Sequence, residues 1–254
     1  MFVIVPLWAH VPIRQQPWVN FALMGLTILV SWWCIAWPED ALYLAGFEER
    51  RVPGMTWREM DEMRAMGYPV GVQRVLPAPV SALTSTLVHG GSMHLIGNML
   101  FLWVFGNAVN LKLGHARFGV LYFLSALLSG SLHAAMEWAP VIGASGAIYG
   151  IVGAFLVCFP LERITMFVWI PLIYRPKMTA VAGVWIIPFW VMWDLLMVML
   201  GDVGVAHWSH LGGFVTGFLV AFLFLVTGWV QPKPGDRTLL HVLGIPSPRR
   251  ARRG

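Results

Sequence analysis

The stretch "GASGAIYG", residues 143 to 150, sets a serine between glycines inside an apolar run, with "WAPVI" before it and "IVGAFLVCF" after it. A serine hydroxyl becomes a nucleophile only with a base to take its proton and donors to hold the oxyanion that forms. Eight histidines are available, at 10, 89, 94, 115, 133, 207, 210 and 241. His94, His207 and His210 fall at the outer ends of candidate membrane spans, and His133 is a weaker fourth. His210 opens "HLGGFVTG", so Gly213 and Gly217 lie on its own helical face at i+3 and i+7. Gly146 and Gly150 form a matching small-residue face after Ser145. Two such faces let helix backbones approach closely, and packing them together brings Ser145 to His210. His207, off that face by about 60°, is the competing base.

Tyr149, four residues after Ser145, can stack on the His210 ring and hold it. His94 and Asn98 stand one turn apart and face the same way. With the Ser145 amide they can cradle an oxyanion. Each feature alone has a plainer explanation: Ser145 as a helix N-cap, "HLIGN" as a helix cross-link, the glycines as packing. Their combination favours chemistry. Asp194 is the one acid inside a span, and its depth looks too central for a triad, so a Ser-His dyad is expected. Asp194 should still face protein or water. Other protease chemistries lack their residues. No HExxH is present, an aspartyl pair needs a second intramembrane carboxylate, and no acid or cysteine joins His207 and His210 as a metal ligand. No metal or cofactor is expected.

These residues need a scaffold within a bilayer. Of 254 residues 58% are hydrophobic and 11% charged, and mean hydropathy is +0.70. A soluble domain carries about 25% charge. The class is therefore a polytopic membrane protein, and the net charge of +5 reports topology before it suggests nucleic acid, which is not an expected partner. Six spans are predicted: Trp18–Trp37, Met93–Leu113, Phe118–Met136, Ser145–Phe159, Ala180–Leu200 and Ala206–Thr227. Six spans put both termini on one side. That side holds 12 of the 17 basic residues, and nine of the twelve acids lie on the other. Both ends should be cytoplasmic. The fourth span is short, roughly 22 Å of helix against about 30 Å of hydrocarbon. Its start must lie below the outer surface, with irregular backbone descending to it, which is tolerated only beside protein or a wet cavity.

Residues 1–230 are read as one all-α bundle. Residues 38–92 are its long outer loop, in which Trp57, Met60, Met63 and Met66 suit either an interfacial helix or an ordinary surface helix. Residues 231–254, Pro- and Arg-rich, are expected to be a disordered cytoplasmic tail attracted to anionic lipid. Cys34 and Cys158 sit in apolar runs and read as packing residues. No signal peptide is visible, and the short N-terminus favours a bacterial plasma membrane.

"LTSTLVHGGSMHLIGNMLFLWVFGN" (83–107), "GASGAIYG" (143–150) and "AHWSHLGGFVTG" (206–217) together resemble the rhomboid family of intramembrane serine proteases, in the family's order and over about residues 15 to 230. The resemblance implies Ser145 as nucleophile and His210 as base, His94 and Asn98 at the oxyanion hole, and Tyr149 stacked on His210. Gly143, Gly146 and Gly213 support the site. It implies substrates that are single-pass membrane proteins cut in or near the bilayer, and a gate formed by the fifth helix and the loop around Gly201–Val205. Where the family often has Trp-Arg, this chain has Val80-Ser81, which bears on the anchoring of the outer loop and not on the chemistry. An aromatic often stands at the place of His207. Two readings without proteolysis compete: a membrane binder or chaperone for transmembrane helices, and a small transporter, which the outer clustering of polar groups and the lack of inverted symmetry disfavour.

Overall fold

The computed structural model describes residues 3–13, 15–49, 55–65, 72–137, 140–169, 175–202, 204–232 and 235–246. Five helices are long and apolar enough to cross a membrane: α1 (Trp18–Ala36), the run Ser92–Leu113, α7 (His115–Met136), α9 (Gly183–Leu200) and α10 (His207–Val226). The sixth, α8 (Ser145–Cys158), has 14 residues, about 21 Å of rise. Between α1 and the second span lie α2 (Pro38–Leu44), α3 (Trp57–Ala65) and α4 (Ala78–Thr84). The second span divides into α5 (Ser92–Phe101) and α6 (Asn107–Leu113), joined by a π-helical turn at Leu102–Gly106. Such a turn leaves the backbone ladder short of a partner. Here Asn20 of α1 supplies it, donating from Nδ2 to the Leu102 carbonyl at 2.9 Å and to Asn107 Oδ1 at 2.8 Å.

The short helix is the centre of the bundle. Twelve residues of α8 are buried, on every side of the helix, as a helix surrounded by others requires. It is packed by α7, α10 and the second span. Against α10 the glycines interlock. A Cβ at Gly213 would overlap the Gly146 carbonyl, one at Gly217 the Gly150 carbonyl, and one at Gly153 the Phe214 carbonyl. Ser125 and Ser129 of α7 fill the space beside Gly150 and Gly146. The glycine faces predicted from spacing are thus the seam itself, and its register sets Ser145 and His210 at the same end.

Several expectations are amended. The bundle is helical, but it also carries two small sheets. β1 (Val3–Ala9), β4 (Arg163–Trp169) and β5 (Lys177–Ala182) form an antiparallel sheet in the order β1-β4-β5 where α8 ends and α9 begins. Ala180–Ala182, counted in the fifth span, belong to β5; their β-branched and small neighbours pair in a hairpin, and the helix starts at Gly183. β2 (Phe47–Glu49) pairs with β3 (Val72–Arg74) in the outer segment. Among the described residues, that segment is anchored around Gly46 and Ser81. The Gly46 carbonyl accepts from the Val75 and Leu76 amides at 2.9 and 3.3 Å, and Ser81, buried against Gly46, donates to the Leu76 carbonyl at 3.3 Å. A Cβ on Gly46 would overlap the Ser81 hydroxyl, so the bare glycine is what lets Ser81 pack there. In α3, Met60 is fully buried in protein, while Met66 and the side chain of Trp57 lie outside the described residues. Nor is the segment after Val230 an unstructured tail as far as it is described. It carries a short helix, α11 (Leu239–Val242), with Leu240 buried in the main core, and Asp236 pairs with the buried Lys112. The apolar "LL" at 239–240 is what holds it. Cys34 and Cys158 are buried free thiols.

Candidate active site

Ser145 is the first residue of α8, and Ala144 precedes it in the cap position with no side-chain capping bond. The serine is therefore not the N-cap. Its hydroxyl stands half-buried at the start of a helix whose first N–H groups have no intrahelical partner. The backbone leading to it is held in place. Gly143 adopts φ +112°, a left-handed region that side chains avoid. It donates from its amide to the Ser85 carbonyl at 2.9 Å. A Cβ there would lie 2.7 Å from the His94 ring, so Gly143 is what lets His94 approach the loop.

Ser145, His94, Asn98, Tyr149 and His210 all line one cavity of about 630 Å³, with His133, Glu137 and residues 204–206 at its walls. Among the described residues no hydrogen bond joins Ser145 to His210; such bonds often tighten only once a substrate is bound. His210 is buried on the first turn of α10. Tyr149 stacks on its ring at 4.2 Å between centroids and 6° between planes. Asn98 donates from Nδ2 to the His94 carbonyl at 3.0 Å and keeps a second N–H on that nitrogen. His133, the weaker candidate, lies on the wall with Nδ1 3.5 Å from Glu137 Oε2.

Two findings depart from the sequence reading. Asp194 is not out of reach of His210: its Oδ1 lies 3.1 Å from His210 Nδ1 and 2.5 Å from His207 Nδ1. Two lengths reconcile this with its place in the helix. α8 falls about 9 Å short of a 30 Å hydrocarbon layer, and Asp194, six residues from the end of α9, lies about 9 Å below that end. The same carboxylate stands between His207 and His210, so the expectation that no acid joins them also fails; the three form a potential ligand set. Both hydrogen-bond spacings, 2.5 and 3.1 Å, fall on Oδ1 of Asp194, while Oδ2 is buried with no hydrogen-bond partner among the described residues. His207 is occupied at both ring nitrogens, the second lying 2.9 Å from Asp202 Oδ2. Bonding to His207 and to the Gly204 amide holds the exposed Asp202 carboxyl below its ordinary range.

His89 was missed. It is buried, its ring 4.9 Å from that of His94. Ser31 donates its hydroxyl to the Leu87 carbonyl at 2.7 Å and lies 2.8 Å from His89 Nδ1. With that proton committed, Ser31 Oγ must accept from Nδ1–H, which leaves Nε2 to accept the Ala144 amide at 3.4 Å. His89 thus ties α1 to the residue before Ser145. Burial first, and then His94, push its pKa down to about 4. Its place five residues before His94 is the available signal, but it falls outside every predicted span.

Fold and cavity define a multi-pass helical membrane protein with a serine and a histidine facing a pocket sunk at the start of a short central helix. Residues 78–227 match the Rhomboid domain family. The chain belongs to the rhomboid family. It is similar to RHOMBOID-like protein 4 of Arabidopsis thaliana, 32% identical over 163 residues, which is 63% of this chain and 38% of the relative. RHOMBOID-like protein 5 of the same organism is 34% identical over 157 residues, 58% of this chain and 45% of the relative. Rhomboid protein 1, mitochondrial, of Saccharomyces cerevisiae is 32% identical over 152 residues, 55% and 40% respectively. The matched part spans less than half the length of each of these relatives. With a mitochondrial protein among them, the family gives no support to a bacterial plasma membrane in particular.

Proposed function

We propose that the chain is an intramembrane serine endopeptidase that cleaves single-pass transmembrane proteins in or near the bilayer. The observation that carries this is the convergence of Ser145, His210, His94 and Asn98 on one cavity reached from four different helical turns. Family membership supports the same class of chemistry. In this reading a substrate segment unwinds into the cavity beside α9 and residues 204–206. His210 Nε2 takes the Ser145 proton, and Oγ attacks the scissile carbonyl. The Ser145 amide, Asn98 Nδ2 and His94 hold the oxyanion. The imidazolium returns its proton to the leaving amine, and water hydrolyses the acyl-enzyme by the reverse sequence. The basic-residue count supports cytoplasmic termini, with the cavity on the opposite side.

The test is direct. Purified protein in proteoliposomes is given a panel of single-pass substrates, the cut is mapped by mass spectrometry, and Ser145 is probed with a fluorophosphonate. Cleavage and labelling are expected in the wild type, and loss of cleavage in Ser145→Ala and in His210→Ala. An unlabelled Ser145 that leaves bound substrate intact would make the chain a binder of transmembrane helices instead.

A further inference from the structure

We infer that Asp194 is a positioning residue for His210, delivered by α9, so that the hydrolytic group is a Ser-His-Asp set and not a dyad; this rests on the assignment of Ser145 and His210 above. The stacked Tyr149 ring fixes the plane of the His210 imidazole. It does not fix its edge, because a half-turn about Cβ–Cγ leaves the stack unchanged and exchanges the ring positions. The contact that tells the two edges apart is Asp194 Oδ1 at 3.1 Å from Nδ1. An ionised carboxylate only accepts hydrogen bonds. The nitrogen facing it must therefore carry the proton, and Nε2 keeps the lone pair. That is the tautomer a base for Ser145 needs.

His207 explains how a carboxylate is kept there. Asp194 is 2% exposed, and an unpaired charge at that burial is costly. His207 Nδ1 faces Asp194 at 2.5 Å and Nε2 faces Asp202 at 2.9 Å. Donating to both requires a proton on each ring nitrogen, so His207 serves the cluster as its cation. It is the counter-ion of the site, and the competing role of base is closed to it.

The carboxylate also fastens a helix. The buried residues of α9 are Gly183, Ile186 and Ile187 at its start and, in its outer half, Asp194 alone. Its outer face carries Met192, Leu195, Met199 and Leu200, all exposed. The outer half of α9 is thus pinned to α10 through the same oxygen that orients the base. Docking of α9 and the orientation of His210 are one event.

The test reads the tautomer as well as the rate. Protein labelled with ¹⁵N-histidine is examined by NMR, with the His210 signals assigned by their loss in His210→Gln. In the wild type His210 is expected as the Nδ1–H tautomer. In Asp194→Asn, whose amide can present N–H to the ring, it should shift toward Nε2–H. With a reporter single-pass substrate, kcat of Asp194→Asn should fall about 10²- to 10⁴-fold, with KM within about threefold. A wild-type His210 in the Nε2–H form overturns the inference, and so does kcat of Asp194→Asn within threefold of wild type. A fall in kcat with His210 still Nδ1–H makes Asp194 merely structural and also overturns it. The wild-type tautomer needs no variant, so the inference stays testable if Asp194→Asn fails to fold. It also stays testable if the wild type cleaves nothing, an outcome that would sink the protease reading and leave the orientation of His210 to be decided by the spectrum.

Discussion

Gly213 of α10 lies so close to Gly146 of α8 that a methyl group on the first would overlap the carbonyl oxygen of the second. Ser145 is the residue before Gly146 and His210 is one turn before Gly213. A close backbone approach therefore sits next to the two residues assigned to chemistry, and Gly217 over Gly150 continues it.

Gly213→Ala and Gly217→Ala should each cost about 3 kcal/mol, because the obstacle is backbone and cannot rotate away. Unfolding in detergent micelles, followed by thermal shift, would measure it, and cleavage should fall in parallel. Gly25→Ala on α1, where nothing lies within 4 Å of the added carbon, should be neutral in both assays.

His94→Ala and Asn98→Ala should each lower kcat on the order of 10²-fold with little change in KM. These side chains are asked to act on the oxyanion and not on the bound substrate. Stopped assays over a range of substrate concentration separate the two constants. Loss confined to KM would move both residues from the oxyanion hole to substrate binding.

His89 predicts an acid limit. Its pKa falls from the ordinary 6.5 to about 4 in the fold, so between those values the unfolded chain binds a proton that the native protein does not. Stability is then full above pH 6.5 and declines as pH falls toward 4, by about 3 kcal/mol in all. Protonation would also remove the acceptor for the Ala144 amide. Denaturation midpoints of the wild type and His89→Gln across this range should show a slope in the first that is reduced in the second.

The ordered part of the C-terminal segment should matter to stability. Asp236→Asn leaves Lys112, whose side chain is 4% exposed, without its carboxylate, and removing a partner from a buried pair costs about 3 kcal/mol or more. Truncation after Val230 should cost at least as much, since it also uncovers the site of Leu240. Unchanged thermal unfolding in both variants would return the segment to the role of a passive tail.

Much of the site could be read from residue types and spacing. Two small-xxx-small faces, one following Ser145 and one following His210, defined a seam, and a seam fixes the relative height of two helices. The stack of Tyr149 on His210 follows from that register. His89 could not be found this way, because its partners are Ser31, 58 positions away, and Ala144, 55 positions away. No periodicity links residues on three separate elements. The β1-β4-β5 sheet escaped for a similar reason. β1 and β4 lie about 160 residues apart, and each is an apolar run too short to be told from the end of a span.

The sequence by itself determined the membrane class, the helical bundle, the short central helix and the glycine seam that sets Ser145 and His210 at one end. Each of these depends on local composition or on helical period, which neighbours in the chain settle among themselves. Only the tertiary structure decided what Asp194 does. One buried acid in a span must find polar company, but which company depends on the depth and rotation of α9 against α10. Those are set by packing, and they put its oxygen between His207 and His210.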